Sequence, residues 1–159
     1  MNRGFDEYYK FMGRGGHSYF DLRSDSDGKF AHPIYRNKQH INDEGYLKNR
    51  LTEEAVDFIE RNKTRPFFFY LAYNAVHASA EAPAADIQSA EDSNSGITPQ
   101  RATLMAMLKH LDDGLGEVVG KLKREKLFDN TPLFFLTDNG GSKAMSADTH
   151  PLPWLQRQL

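Results

Sequence analysis

The sequence predicts an α/β fold in which parallel strands are covered by helices. Two apolar runs, residues 67–73 and 133–137, lack the polar alternation of a half-exposed strand and are typical of strands buried on both faces. Between them, residues 98–125 carry leucine and valine at steps of three and four, which indicates one long amphipathic helix. Strand, helix and strand in this order predict a right-handed crossover between two parallel strands.

The composition is that of one ordinary globular domain. The chain has 159 residues, of which 39% are hydrophobic, and a formal net charge of −2. This balance gives no basic footprint for nucleic acid and no polybasic segment for a membrane surface. Cysteine is absent, which excludes disulfides, cysteine zinc sites and a thiol nucleophile. Residues 1–6 lack the apolar core of a signal peptide, so the chain as written is expected to stay where it is made. The absence of cysteine does not fix the compartment.

The remaining elements follow from local signals. Scattered aromatic side chains without a sustained period predict irregular structure over residues 1–50, packed against another surface. A helix is predicted over residues 52–62, because its first residue, a threonine, is a good cap and two glutamates occupy its first turn. Residues 78–96 are small and polar and predict a surface loop, in which residues 80–85 have room for one helical turn.

The long helix has clear limits. Thr98 supplies a capping hydroxyl and is followed by proline at the first helical position, and the apolar stripe ends near Glu125. Gly114 and Gly116 weaken the helix locally, and the close approach of a neighbouring segment would explain both.

Polar side chains follow both predicted strands. His77 stands just beyond the first strand, and Asp138 and Asn139 follow the second one directly. Because the carboxyl ends of parallel strands share one edge of a sheet, we expect these side chains to converge there. Carboxylate and amide oxygens are hard ligands for a metal ion, although an Asp-Asn-Gly-Gly sequence taken alone is more typical of a plain turn.

Other titratable residues have structural interpretations. His17 is expected to pack in a glycine-rich turn, and His110, beside the apolar stripe of the long helix, to be solvated or paired with a nearby acid. Asp112 and Asp113 are neighbours on a helix and point apart, which predicts helix capping or surface charge and not a carboxylate dyad. Surface positions are predicted for His32, His40 and His150.

Five blocks, in order and at compatible spacings, resemble the type I, arylsulfatase-like sulfatase family of the alkaline phosphatase-like superfamily. The resemblance covers about residues 3–141 and is carried by Gly4–Tyr9, Gly15–Phe20, Pro66–His77, Leu111–Gly116 and Phe128–Gly141. It implies part of an alkaline phosphatase/sulfatase-like sandwich, with a mostly parallel sheet flanked by helices. It also implies a partial sulfatase domain over residues 1–141, with helix, strand, helix and strand in residues 51–141, and a divergent tail at 142–159.

The resemblance further implies a chemistry. Members of this family hydrolyse sulfate esters with a formylglycine nucleophile, made from the cysteine of a Cys-x-Pro-x-Arg motif, and with a calcium ion beside the sulfate oxygens. Asp138 and Asn139 match the last two metal ligands of the family. His77 matches a histidine that contacts the sulfate and assists the leaving oxygen. The implied partner is a small sulfate ester or a sulfated glycan, with no nucleic acid and no membrane.

The chain also departs from the family pattern. The nucleophile motif and the first pair of aspartate ligands have no counterpart in these residues. Where the family usually reads Pro-Leu-Arg-Gly-Gly-Lys, this chain has Pro151-Leu152-Pro153-Trp154-Leu155-Gln156, so that Gln156 replaces a lysine that reaches the sulfate. We therefore expect a central fragment of a sulfatase domain that is inactive alone, binds calcium weakly or not at all, and is marginally stable.

Two alternative functions follow from the same departures. The missing nucleophile and lysine are also typical of a truncated, non-catalytic homologue that acts at most as a binding or interaction module. A phosphoric or phosphonic ester hydrolase of the same superfamily is the second alternative, because the segment that would separate it from a sulfatase is absent here. Complete members of the family are often exported or lysosomal, which leaves the localisation of this protein undetermined.

Overall fold

Three helices and a small sheet form the computed structural model, which describes residues 4–11, 18–22, 34–77, 79–141 and 147. Helices α1 and α3 pack against each other, and α2 packs on α3. No helix within these ranges has both the length and the apolar character needed to cross a membrane. The elements in chain order are β1 (Tyr9–Phe11), β2 (Ile34–Arg36), β3 (Gln39–Ile41), α1 (Leu47–Asn62), α2 (Ala84–Ser93), α3 (Pro99–Arg124) and a 3-10 turn at Phe128–Asn130.

The prediction of irregular structure for residues 1–50 is wrong in part, because this range contains an antiparallel sheet in the order β1-β2-β3. Tyr9 of β1 lies opposite Arg36 of β2. The turn between β2 and β3 places Asn37 in the left-handed region, at φ 55°, where asparagine is favoured among residues other than glycine. The side-chain oxygen of Asn37 accepts a hydrogen bond from the N–H of Tyr8 at 2.9 Å. Strands of three residues are too short to leave a periodic signal in the sequence.

Helix α1 begins five residues before its predicted start. Its first residue, Leu47, donates its N–H to the carbonyl of Tyr19 at 2.7 Å, so a tertiary contact determines where the helix starts. Thr52 is therefore inside the helix and does not cap it. Its hydroxyl lies 2.9 Å from the carbonyl of Lys48 and 2.7 Å from the hydroxyl of Tyr73.

The predicted limits of α3 are confirmed. The Thr98 side chain accepts a hydrogen bond from the N–H of Arg101 at 3.2 Å, with proline at the first helical position. The helix ends at Arg124, one residue before the predicted end. Both ends carry local signals, which explains why the sequence was sufficient here.

Helix α2 corrects the surface loop predicted for residues 78–96. Its ten residues carry little apolar pattern. Its position follows from contacts with α3, where Asp86 meets His110 at 3.0 Å, and from Ile87, which packs against the core. The Asp86–His110 contact also confirms that His110 pairs with a nearby acid.

The apolar run at residues 67–73 is extended but partly buried, and on one face only. Its inner face packs against α1 and α3 through Phe67, Phe69 and Leu71. Phe68 and Tyr70 point the other way and are 77% and 70% exposed. The burial on both faces that the sequence predicts is therefore not observed within the described residues.

The second apolar run is also extended, and its side chains are exposed along its length. Exposure ranges from 51% at Leu133 to 86% at Phe134. Neither this run nor residues 67–73 is paired as a strand with any segment that the structure describes. Of the predicted parallel crossover, the described structure contains the helix and two extended segments that are not paired as strands. A buried strand needs neighbouring strands, which the described residues do not supply to these segments.

Gly114 marks the closest approach between α3 and its neighbours. A Cβ at this position would lie 2.5 Å from the Thr52 hydroxyl oxygen and 2.9 Å from the Tyr73 hydroxyl. The same construction at Gly116 meets nothing within 4 Å. Close approach therefore explains Gly114 and does not explain Gly116.

Gly114→Ala is expected to destabilise the protein by about 1–3 kcal/mol, because the added methyl group forces apart two hydroxyls that share a hydrogen bond. Gly116→Ala is the matched control, two residues further along the helix in open space, and should be neutral or stabilising by up to about 1 kcal/mol. Urea unfolding of both variants measures the difference. Equal stability of the two variants would contradict the packing described here.

Lys48 is a charged side chain fully buried between α1 and α3. Its Nζ donates to the backbone carbonyl of Met107. Burial lowers the pKa of Lys48 to about 7, with a smaller opposing effect from the charge of Asp113. An unfolded lysine titrates near 10.4.

Stability is consequently expected to rise with pH through this range. Between about pH 7 and pH 10 the unfolded chain binds one more proton than the folded chain, so Lys48 adds up to about 1.4 kcal/mol per pH unit to the free energy of unfolding. Below about pH 7 both states are protonated and this contribution levels off. Lys48→Met should flatten the rise, whereas Lys123→Met, which alters an exposed lysine of α3, should retain it. Urea unfolding across this range is the measurement, and an unchanged slope in Lys48→Met would refute the assignment.

Candidate functional site

His77 lies in a tight turn just after the extended run 67–73, where the sequence placed it. Its N–H donates to the carbonyl of Asn74 at 2.9 Å and closes the turn formed by residues 74–77. The side chain of His77 is exposed. An imidazole that is reachable from solvent and carried on a hydrogen-bonded turn can exchange protons with a bound ligand near neutral pH.

Tyr19 supports this turn from the protein interior. The side chain is fully buried. Its hydroxyl donates to the carbonyl of Asn74 at 2.9 Å and accepts from the N–H of His77 at 3.2 Å, with the His77 carbonyl also at 3.2 Å. Burial raises the pKa of Tyr19 well above its ordinary value, so the hydroxyl keeps its proton at neutral pH.

Glu81 organises the residues around Tyr19. Its Oε2 accepts from the N–H of Tyr19 at 2.7 Å and from the hydroxyl of Ser18 at 3.2 Å, and its Oε1 accepts from the hydroxyl of Ser79 at 3.2 Å. The hydroxyl of Tyr46 donates to the backbone carbonyl of Glu81 at 2.9 Å. The carboxylate thus links the segment that carries Tyr19 to the chain that follows the turn.

Asp138 and Asn139 lie on a second turn, after the extended run 133–137. Both residues are exposed. The hydroxyl of Thr137 donates to the backbone carbonyl of Asn139 at 2.8 Å, and the Asn139 side-chain N–H donates to the carbonyl of Gly140 at 3.0 Å. With its nitrogen engaged in this way, the Asn139 side chain keeps its oxygen as a potential ligand.

The two oxygen donors on this turn fit calcium in kind but not in number. Calcium takes six to eight oxygens, and Asp138 and Asn139 supply a carboxylate and an amide. Within the part of the chain that the structure describes, no group of three or more histidine, aspartate or glutamate side chains could hold a metal ion. The predicted convergence of His77 with this turn stays a prediction, since each lies at the end of its own unpaired segment.

A polar cleft of about 240 Å³ separates α1 from α3. Two of its acids form ion pairs on their own helices, Asp113 with Lys109 at 2.5 Å and Glu53 with Arg50. Asp112 and Asp113 are both exposed, in agreement with the surface charge predicted for them. The residues that line the cleft include Asn49, Thr52, Glu53, His110 and Glu117.

Tyr19 and Glu81 are not predicted from the sequence as parts of the site. Tyr19 falls in one of the blocks that carry the family resemblance, which is the signal that could have directed attention to it. Glu81 falls in the stretch predicted as a surface loop, where nothing local distinguishes it. His17 and Gln156, by contrast, lie outside the described residues.

Comparisons with known proteins agree on one family. A family model described as Sulfatase matches residues 1–157. "Uncharacterized sulfatase YdeN" of Escherichia coli is 33% identical over 142 residues, covering 88% of this chain and 23% of the relative. "Arylsulfatase J" of Mus musculus is 30% identical over 94% of this chain and 25% of the relative. "N-acetylgalactosamine-6-sulfatase" of Homo sapiens is 26% identical over 89% and 27%, respectively.

Solved structures give the same result. Ps i-CgsB in complex with k-i-k-neocarrahexaose matches with a TM-score of 0.81 and 34% identity, over 95% of this chain and 36% of that chain. A second structure of Ps i-CgsB matches with the same TM-score and 35% identity. The α/β class of the alkaline phosphatase-like fold is confirmed. The chain spans about a quarter of the length of the curated relatives it matches.

Proposed function

This chain belongs to the sulfatase family, and from that premise we propose that it carries part of the active site of an enzyme that hydrolyses sulfate esters. The observation that carries the proposal is the turn at residues 74–77, which carries an exposed His77. The sequence resemblance matches this residue to an active-site histidine of the family. The match of nearly the whole chain to the family model supports the same conclusion.

In this proposal His77 donates a proton to the oxygen that leaves when the bond between sulfur and the ester oxygen breaks. An alkoxide or phenoxide is a poor leaving group unless its developing charge is neutralised. An imidazolium can supply that proton at near-neutral pH and is then ready to take it back from water. The exposed position of the side chain supports access by a substrate.

Asp138 and Asn139 would hold calcium together with ligands that lie outside the described residues. Their carboxylate and amide oxygens are the donor types this ion selects. When bound, the ion supplies positive charge next to the sulfate oxygens. The hydrogen bonds of Thr137 and of the Asn139 amide keep the turn compact, so these two residues offer their oxygens from a fixed backbone.

The 159 residues by themselves would be inactive. They contain no cysteine from which the family's formylglycine nucleophile is made. Gln156 also takes the place of a lysine that the family directs at the sulfate. We therefore assign catalysis to a complete sulfatase domain that includes this chain.

The proposed substrate is a sulfated glycan or a small sulfate ester. Support comes from the relatives, one of which is an N-acetylgalactosamine-6-sulfatase, and from the oligosaccharide in the Ps i-CgsB structure. Neither the non-catalytic homologue nor the phosphoric or phosphonic ester hydrolase is favoured by the comparisons.

The test compares two esters of one phenol in the full-length protein. 4-Methylumbelliferyl sulfate and 4-methylumbelliferyl phosphate share a leaving group and differ in the group transferred. We expect the sulfate to be hydrolysed with the higher kcat/KM. A preference for the phosphate, or no turnover of either above a heat-inactivated control, would refute the proposed function.

A further inference from the structure

We propose that Tyr19 is a positioning residue for His77, and that its hydroxyl fixes the turn from which the imidazole reaches the leaving oxygen. This inference rests on the proposed function. It names an interior residue, 58 positions away along the chain from His77, as a determinant of the proton-transfer geometry.

The hydroxyl of Tyr19 contacts both ends of the turn at residues 74–77. It donates to the carbonyl of Asn74 and accepts from the N–H of His77, which are the first and last residues of the turn. These two groups also bond to each other at 2.9 Å. A single hydroxyl therefore bridges both ends of the turn and resists rotation of the backbone that carries the imidazole.

Tyr19 is itself held by contacts on three sides. Its N–H donates to the Glu81 carboxylate at 2.7 Å, and its carbonyl accepts from the first N–H of α1, at Leu47, at 2.7 Å. Its ring packs against that of Tyr46, with centroids 5.7 Å apart. A hydroxyl transmits position to a turn only when its own ring cannot move, and this one is fully buried.

The hydroxyl of Tyr19 can be removed without changing the other contacts of this residue. Tyr19→Phe keeps the ring, the packing and both main-chain bonds, and removes only the hydroxyl that contacts residues 74–77. Tyr46→Phe is the matched control. Tyr46 is buried in the same cluster, and its hydroxyl donates to the backbone carbonyl of Glu81 and not to the turn.

Activity is measured on the full-length protein with two aryl sulfates whose phenols differ in pKa. Misplaced proton donation matters most when the leaving phenol is a weak acid. For that ester we expect Tyr19→Phe to lower kcat by about 10-fold with KM within about two-fold, and we expect a smaller loss for the more acidic phenol. In a His77→Ala background the additional loss from Tyr19→Phe should vanish. Tyr46→Phe should show neither effect.

A loss in Tyr19→Phe that is equal for both esters, or that persists in the His77→Ala background, would overturn the positioning role. Such a result would indicate a general effect on folding. An unchanged kcat would overturn it as well.

A second readout does not depend on sulfatase activity. Hydrogen–deuterium exchange at the amides of residues 74–77 should be faster in Tyr19→Phe than in wild type and unchanged in Tyr46→Phe. If the wild-type protein fails to hydrolyse either sulfate, the proposed function fails, and faster exchange in Tyr19→Phe still supports the bridging of the turn. Equal exchange in all three proteins would overturn the bridging itself.

Discussion

His77→Gln is expected to lower kcat for an aryl sulfate by about 10²–10⁴-fold in the full-length protein, the range typical of general acid–base catalysis. Glutamine keeps a side chain of similar length that can form hydrogen bonds, but it has no proton to give at neutral pH. The backbone bond from residue 77 to Asn74 is unaffected by this change. We therefore expect the fold, and thus the thermal unfolding temperature, to be nearly unchanged.

The control for this prediction is His40→Gln. His40 is an exposed histidine of β3 whose ring lies 4.2 Å from that of Tyr35, and it has no place in the proposed site. Its replacement should leave kcat within about two-fold of wild type, as for most surface changes. Wild-type turnover by His77→Gln would exclude His77 from proton transfer.

Asp138→Ala is the second large effect. The change removes the carboxylate, the stronger of the two proposed calcium ligands on this turn. We expect calcium affinity to fall by at least about 10-fold and turnover by about 100-fold at limiting calcium, because a ligand contributes more than the outer-shell partners whose loss already costs 10–100-fold. Excess calcium should restore part of the activity.

Binding is measured separately from activity, by isothermal titration calorimetry and by the rise in unfolding temperature with added calcium. Asp129→Asn serves as the matched control, since Asp129 is an exposed carboxylate in the 3-10 turn before the same extended run. It should bind calcium as wild type does. If Asp138→Ala and Asp129→Asn gave the same calcium affinity, Asp138 would not be a ligand.

The sequence predicted those elements whose signals are local. The start of α3 at Thr98 and Pro99 is visible in two adjacent residues, and its apolar stripe repeats over many turns. The position of His77 is visible because an apolar run ends just before it. Both features need no information from distant parts of the chain.

What escaped prediction depends on contacts between distant residues. Tyr9 of β1 pairs with Arg36, 27 positions later, and a three-residue strand carries no sequence signal that identifies its partner. Helix α2 is positioned by its contacts with α3, such as that of Asp86 with His110, and by Ile87 against the core, whereas its own apolar pattern is weak. Tyr19 reaches the 74–77 turn across more than fifty residues. Hydrophobic periodicity reports the surroundings of a segment and does not identify its contacts.

The apolar run at residues 67–73 shows the same limit from the other side. Its uniform hydrophobicity describes an environment with cover on both faces, whereas α1 and α3 cover only the face of Phe67, Phe69 and Leu71. The sequence thus indicates a need for cover on both faces of the run, and the described residues provide cover on one face only. Residues 133–136 present the same requirement with less cover still.

The exposed second run has a consequence for how the chain behaves before it acquires cover. Four consecutive large apolar residues, 133–136, with no charge among them and no strand beside them in the described structure, form a short template on which another extended chain can add. Pro132 immediately before them lacks an N–H and so removes one rung from any such ladder. The proline thereby acts as a gatekeeper, which limits self-association of a segment whose hydrophobicity its proposed place in a sheet requires.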